Sequence, residues 1–397
     1  MNILIVGYAF IRKTHRDTFD FYPEKNSISF LVPRIWKTKG GRAVFSAPEE
    51  ENIFSGRAFF SHSHYPLIGG LLKAIIPAFP LILWRAKRSK KIELVHVCSE
   101  LTLLTTLYYA LWSRLLGLPF TLFSWENVRY EDKFKGINLF LKQMVVRMNL
   151  KLSSGLVCGN IKCAEMHRKY MDSKSILVAP MNGVDPNFFQ PSTGQKVFQN
   201  VDYSAKIVFT FVGAVERRKG IDAILKVFPQ VHSQIPMAHL IIAGGGQDDA
   251  VVEEQVTLLQ MPEHITRIPY LSHEELIKLL HVSDVFVYPS LSYHGWEEQF
   301  GYSMAEASLM ELPVITTRTG SIEEVVVHDH TGITVDPNDL SGLQEAMIRL
   351  GADEPLRHKL GHEGRNYIVE HFSHEVIAQK FYTFFSEVKK TARPISP

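Results

Sequence analysis

Between residues 285 and 317 the chain switches twice between two periodic patterns. Val285-Phe286-Val287-Tyr288 is an unbroken apolar run that stops at Pro289-Ser290, which is how a buried strand reads. A polar, aromatic loop follows from Leu291 to Gln299. The pattern is then helical from about Gly301 to Met310, and Glu311-Leu312-Pro313 stops it. A second apolar run, 313–317, comes next. Strand, helix and strand in this order make parallel neighbours, because a parallel pair needs a crossover about a helix long. The same alternation recurs. Apolar runs lie at 3–6, 94–97, 120–123, 155–159, 176–179, 207–212 and 240–243, and helical patterns at 101–116, 137–152, 272–280 and 373–389. The expected fold class is α/β with mostly parallel sheets. A chain of 397 residues is longer than one hydrophobic core serves, so two domains are expected.

Within the 285–317 unit, Glu298 and Glu306 stand on either side of a helix start at the end of a strand. Ligands of open α/β sheets bind outside the carboxyl ends of the strands. A helix start also carries unpaired N–H groups and partial positive charge, which suit a phosphate. Gly301 has no Cβ, so backbone there can approach a ligand closely. Eight residues at 3.6 per turn leave the two carboxylates roughly 80° apart, so they do not share a helix face. Glu298 belongs to the loop and Glu306 to the second turn, positions from which they would grip two parts of one elongated ligand.

The order Glu298, Phe300, Gly301, Glu306, Ala307, Pro313, Val314 resembles the E-x7-E signature of retaining glycosyltransferases of family 4. Asn182-Gly183-Val184-Asp185 with Phe189 and Pro191 resembles that family's N-G-V-D segment. Phe211-Val212-Gly213, followed by Arg218-Lys219-Gly220, resembles its diphosphate loop. The residues 242–246, 284–290 and 332–337 match further elements in the same order. The resemblance implies a GT-B fold, two Rossmann-like domains facing across a central cleft. Residues 1–190 would be the acceptor-binding domain and 191–372 the nucleotide-sugar-binding domain. Residues 373–397 would be a helix crossing back to the first. The implied reaction moves a sugar from a UDP-, GDP- or ADP-sugar to an acceptor hydroxyl of a glycan or glycolipid, with retention. The implied catalytic residues are Glu298, Arg218 and Lys219. Gly213, Tyr270, Leu271, Phe300, Gly301, Tyr302, Ser303 and Glu306 would bind the donor. On the acceptor side the candidates are Gly7, Arg12, His15, Glu126 and Asn127. No cofactor or metal is expected, since no D-x-D cluster occurs; nor is a nucleic-acid partner.

Some positions depart from the family. The usual glycine-rich first loop is replaced by Gly7-Tyr8-Ala9-Phe10-Ile11-Arg12, where Arg12, His15 and Arg16 are the candidate basic groups. Trp125-Glu126-Asn127 stands where many relatives carry a histidine, and Ala214 where many carry an arginine. The altered first loop, Ala214 and Glu311, the last often glycine in relatives, leave open a non-catalytic sugar-nucleotide-binding protein; a sugar-nucleotide epimerase of the same fold is a second alternative. A nicotinamide site is disfavoured: the Gly244-Gly245-Gly246 run follows a later strand, and Asp249 takes the place of its last glycine.

Cys98, Cys158 and Cys163 show no metal spacing or disulfide framework, as expected of a reducing cytosol. No basic leader precedes Ile3, so no signal peptide is expected. The residues 66–84 are strongly apolar and approach the length of a membrane span, roughly 20 residues. Pro77, Pro80 and Lys73 interrupt them, so a broken helix in the core or at a membrane surface is expected. Charge is unevenly divided. Residues 1–195 hold 26 Lys and Arg against 14 Asp and Glu, and the whole chain 43 against 41, so residues 196–397 carry 17 against 27. A basic half with cations beside apolar residues leads to the expectation of a cytoplasmic protein that docks on an anionic membrane face or handles an anionic acceptor, the alternative being that the basic half only complements the acidic one. Asp185 to Tyr203 is expected to be a linker, and the tail after Lys390 to be loose.

Overall fold

The computed structural model describes all residues except Lys25, 38–43, 62–68, 172–174, 192–193, His294 and 392–397. The expectation for the tail lies largely outside the described residues, as does the start of the 66–84 run. The chain divides into two compact units. The first is Met1–Gly183 with His374–Pro397, and the second is Val184–Ser373.

The first unit carries a parallel sheet of β1 (Ile3–Val6), β2 (Ile28–Pro33), β3 (Ile53–Gly56), β4 (Leu94–Cys98), β5 (Phe120–Ser124), β6 (Gly155–Cys158) and β7 (Ile176–Val178). Their spatial order is β3-β2-β1-β4-β5-β6-β7. Three helices pack on one face: α1 (Phe79–Ser89), α2 (Leu104–Leu115) and α3 (Gly136–Leu152). Leu83 and Ala86 of α1, Tyr109 and Ala110 of α2, and Val146 and Leu150 of α3 share one core with Val6, Val97, Leu122 and Leu156 of the strands. α4 (Ile161–Arg168) follows β6 and is capped by Asn160, whose side chain accepts from the Cys163 N–H.

The residues 66–84 do not form one helix. A short turn at Gly69–Leu72 precedes α1. Pro80 falls in the first turn of α1, where the missing N–H costs nothing.

The second unit repeats the plan. Its strands are β8 (Ile207–Val212), β9 (Ala238–Ala243), β10 (Ile265–Ile268), β11 (Val285–Tyr288), β12 (Val314–Thr317) and β13 (Gly332–Val335). They lie in the order β10-β9-β8-β11-β12-β13, all parallel. Its helices include α5 (Ile221–Gln234), α6 (His273–Val282), α7 (Tyr302–Leu309), α8 (Leu340–Ala352) and α9 (Glu354–Phe372). The chain order reverses between β8 and β11, which makes the carboxyl ends of these two strands the topological switch point. α10 (His374–Thr391) belongs to the first unit. There its Phe381 and Phe385 rings lie 5.9 and 5.1 Å from the His96 ring of β4.

Residues 185–203 are not a free linker. Phe189 is buried, and Arg365 of α9 donates to the Phe189 and Pro186 carbonyls at 2.8 and 3.1 Å. Val184 donates to the Phe372 carbonyl at 2.9 Å. The second unit is thereby closed at its two ends, and the boundary falls at Gly183 rather than after residue 190. Proline and glycine suggested a linker, but a buried aromatic anchors the segment.

Candidate functional site

Two loops meet at the switch point of the second sheet. The first, after β8, runs from Gly213 to Gly220; the second, after β11, runs from Pro289 to Gly301. Backbone hydrogen bonds hold them. Leu291 donates to the Arg218 carbonyl at 2.8 Å, and Ser321 donates to the Glu298 carbonyl at 3.0 Å. Thr319 Oγ1 donates to the Ser290 carbonyl at 3.0 Å. Gly320 sits at φ +58°, and a Cβ there would stand 2.0 Å from the Glu298 carbonyl oxygen, so only glycine lets this support close.

The loops bring Lys219 and Glu298 together although they are 79 residues apart. Lys219 Nζ donates to Glu298 Oε2 at 2.6 Å and also to the Tyr288 hydroxyl. Both charged side chains are buried. Tyr288 and Ser290 direct their hydroxyls to the same carboxylate oxygen at 3.3 and 3.5 Å. Burial lowers the Lys219 pKa, and Glu298 opposes that shift. Burial, then Glu298, hold the Tyr288 phenol well above its ordinary range. The lysine charge is therefore already met within the protein.

Arg218 is placed differently. It pairs with Glu216, and its guanidinium lies 3.7 Å from the centroid of the Trp296 ring. Its Nη1 is buried with no hydrogen-bond partner among the described residues. Trp296 also lies 4.8 Å from Lys219 Nζ. Tyr288, Ser290, Trp296 and Glu216 were not singled out from sequence. Tyr288 and Ser290 flank the strand end, and that position was their only signal.

Gly301 opens α7 at φ +82°, where a Cβ would strike Met304. Phe300 is buried, with its ring 4.8 Å from Tyr302 and 5.1 Å from Phe372. Ser303 partly offsets the rise in the Tyr288 pKa. Glu306 is half-buried on α7. Burial pushes its pKa up to about 7, and no charged group among the described residues contributes. Gly213 packs against the Tyr288 ring. Thus Gly213, Arg218, Lys219, Glu298, Phe300, Gly301, Tyr302, Ser303 and Glu306 belong to neighbouring loops and one helix. Tyr270 and Leu271 follow edge strand β10, at the carboxyl edge of the same sheet; Tyr270 is 80% exposed.

The five acceptor-side candidates are spread over the first unit. Gly7 follows β1 and packs on Cys98. Arg12 lies over the Phe45 ring at 4.5 Å. His15 supplies no cation at neutral pH: burial, helped by Arg12, lowers its pKa to about 4. Its Nδ1 is 2.9 Å from the Asn182 side chain. Arg16 is committed to Glu50 at 2.7 Å and to the Phe10 carbonyl at 2.8 Å. Glu126 is held in a loop ion pair with Lys133 at 2.5 Å and accepts from the Val128 N–H at 3.3 Å. Asn127 is buried beside a hollow whose lining includes Arg129, Lys162 and Lys169.

The cysteine spacing was expected to give no metal pattern, yet the fold assembles Cys158, Cys163 and His167 with their ligating atoms within 4.8 Å, all buried. His167 is already engaged at both ring nitrogens, with Nδ1 2.7 Å from the Cys163 carbonyl and Nε2 3.1 Å from the Tyr130 hydroxyl. Spacing missed the cluster because a strand, a turn and one helical turn bring its members together.

Residues 193–367 match the family model described as glycosyl transferases group 1. The chain is 22% identical over 267 residues to a 2-deoxystreptamine N-acetyl-D-glucosaminyltransferase of Niallia circulans, covering 67% of each protein. It is 29% identical over 212 residues to a GDP-mannose-dependent monoacylated alpha-(1-6)-phosphatidylinositol monomannoside mannosyltransferase of Corynebacterium glutamicum. That match covers 50% of this chain and 53% of the relative. Among solved structures, Anabaena Alr3699/HepE in complex with UDP superposes with a TM-score of 0.74 at 15% identity. The superposition covers 98% of this chain and 100% of that one. The fold is thus the GT-B pair of Rossmann-like units.

Proposed function

We propose that this chain, whose residues 193–367 belong to the glycosyl transferases group 1 family, transfers a sugar from a nucleotide-diphosphate donor to an acceptor hydroxyl in glycan assembly, with retention. The observation that carries the reading is the Lys219–Glu298 pair spanning the switch point, together with a second carboxylate, Glu306, whose pKa burial raises and which meets no charged group among the described residues. A carboxylate in that condition is relieved by hydroxyl donors such as a ribose diol. Glu306 takes the nucleoside end and Glu298 the sugar end. The diphosphate lies between them, at the start of α7 and near Arg218.

Arg218 is suited to the diphosphate: its guanidinium lies 3.7 Å from the Trp296 ring centroid, and its Nη1 has no hydrogen-bond partner among the described residues. A planar guanidinium can bind phosphate oxygens in pairs. It stabilises charge that grows on the leaving group as the anomeric bond breaks, a kind of term that is often large. Lys219, through Glu298, fixes the sugar-binding carboxylate and adds positive potential. The donors that surround Glu298 lower its nucleophilicity, which favours a holding role for it over a covalent one. The reading includes no metal and no cofactor.

The UDP complex of Anabaena HepE makes UDP-sugars the first donors to test, and the name of the Corynebacterium relative adds GDP-mannose. That relative's lipid substrate supports a glycan or glycolipid acceptor at an anionic membrane face, with the chain on the cytoplasmic side. A thermal-shift panel of UDP-, GDP- and ADP-sugars tests the proposal, since a ligand that binds only the folded state raises the melting temperature. A true donor shifts the wild type and shifts Glu306→Ala much less. No shift with any of the three classes defeats the reading.

A further inference from the structure

A helix of a folded domain has one apolar face; α3 has two. Val145, Val146, Asn149 and Leu150 are buried against the unit's core. Ile137, Phe140, Leu141, Met144 and Met148 are exposed, Ile137 at 73% and Phe140 at 62%. Their spacing of three, four, seven and eleven residues from Ile137 places them in one stripe along the solvent side. The same condition holds on the two helices beside it. α2 packs on α3 and exposes Leu111, Trp112 and Leu115, and α1 packs on α2 and exposes Leu81 and Trp84. Scattered exposed apolar residues need no explanation, but ten on three adjacent helices of one layer form a patch with a purpose.

The charge of the layer identifies its partner. The sequences of α1, α2 and α3 contain no Asp or Glu, and they contain Arg85, Lys87, Arg88, Arg114, Lys142, Arg147 and Lys151. Arg85, Lys151 and, just beyond the end of α1, Lys91 are exposed and meet no carboxylate among the described residues. Arg88 lies over the Trp84 ring at 4.1 Å, with both side chains turned outward. A second copy of this chain is a poor occupant, because a two-fold contact would set this cationic layer against itself. Apolar side chains with two tryptophans, edged by arginine and lysine, match an anionic lipid surface.

We infer that the outer faces of α1, α2 and α3 form one docking surface for an anionic bilayer. The apolar stripe of α3 enters the headgroup boundary, and the cations of α1 and α3 meet lipid phosphates. The inference deepens the proposed function and rests on it only for the acceptor: the surface would carry the first unit to a membrane-resident acceptor.

The full chain is sedimented with vesicles of phosphatidylcholine, alone or mixed with equal phosphatidylglycerol, at low and high salt. The expected result is binding to the anionic vesicles, weakened by salt and small for the neutral ones. Phe140→Ser with Leu141→Ser lowers partitioning about tenfold or more through lost apolar area. Arg85→Glu with Lys91→Glu gives a loss of about the same size and removes most of the salt dependence. Both variants keep the wild-type melting temperature and the wild-type thermal shift with the donor panel. Equal, negligible binding to both vesicle types overturns the inference even where a donor shift is present. So does a dimer in sedimentation equilibrium that Phe140→Ser, Leu141→Ser dissociates without vesicle binding. Vesicle binding that these variants abolish, in a chain with no donor shift, leaves the surface standing and removes the glycosyltransferase reading.

Discussion

Donor affinity should depend on pH through a single group, Glu306. Its carboxyl titrates at about 7 because burial penalises the charged form, whereas acceptance of two ribose hydroxyls requires that charged form. Affinity then scales with the ionised fraction, which is about one tenth at pH 6 and about nine tenths at pH 8. The dissociation constant for the nucleotide sugar that gives the largest thermal shift should therefore rise about tenfold from pH 8 to pH 6. A nucleotide sugar is the right probe, because its diphosphate is esterified at both ends and does not titrate here. Isothermal titration calorimetry at several pH values reads the slope, and buffers of different ionisation heat read the proton released on binding. Glu306→Gln should bind more weakly at pH 8 and show no slope. In the free protein the sign is opposite. The native chain holds this proton more tightly than the unfolded chain, whose carboxyl titrates near 4.5. The resulting stability is fully present below that value and lost as pH rises through about 7. Affinity that stays flat from pH 6 to pH 8, or a slope that survives in Glu306→Gln, refutes the assignment.

Three further outcomes are expected. Lys219→Met should cost about 3–5 kcal/mol in urea unfolding, because it strands a buried Glu298, and the double variant Lys219→Met, Glu298→Leu should recover most of that loss; strict additivity would show that the pair is not coupled. Glu298→Gln, which keeps the shape, should reduce turnover far more than donor affinity, read as kcat against the donor dissociation constant, and unchanged kcat would remove Glu298 from the reaction. Transfer should persist in excess chelator yet fall strongly in Arg218→Ala, and activity lost to the chelator and restored by magnesium would contradict a leaving group stabilised by protein charge.

Much of the fold was legible because its signals are local. The run 285–288 is β11 to the residue, and the helices expected at 137–152 and 373–389 are α3 and α10 with ends displaced by one or two positions. Apolar periodicity records which face an element buries, and that requirement acts within a few residues. The carboxylates around Gly301 were legible for the same reason: the strand end, the glycine and the helix lie within one short segment. Readings from composition were less secure. Proline and glycine made 185–203 resemble a linker, but Phe189 and Arg365 fasten its first part to α9.

By itself, the sequence determined the α/β plan, the division into two units and the segment that carries Glu298 in a loop and Glu306 on the helix after it. Each follows from patterns within one segment or from total length. Only the tertiary structure decided which groups meet. The pairing of β8 with β11, in register at Phe209 and Val285, sets Lys219 against Glu298 across 79 residues. It also turns Arg218 onto Trp296. The packing of α1, α2 and α3 into one layer likewise gathers exposed residues that look unrelated along the chain. Contacts of this kind depend on strand order and on the faces that helices turn to a shared sheet, and neither is written in the spacing of any one segment.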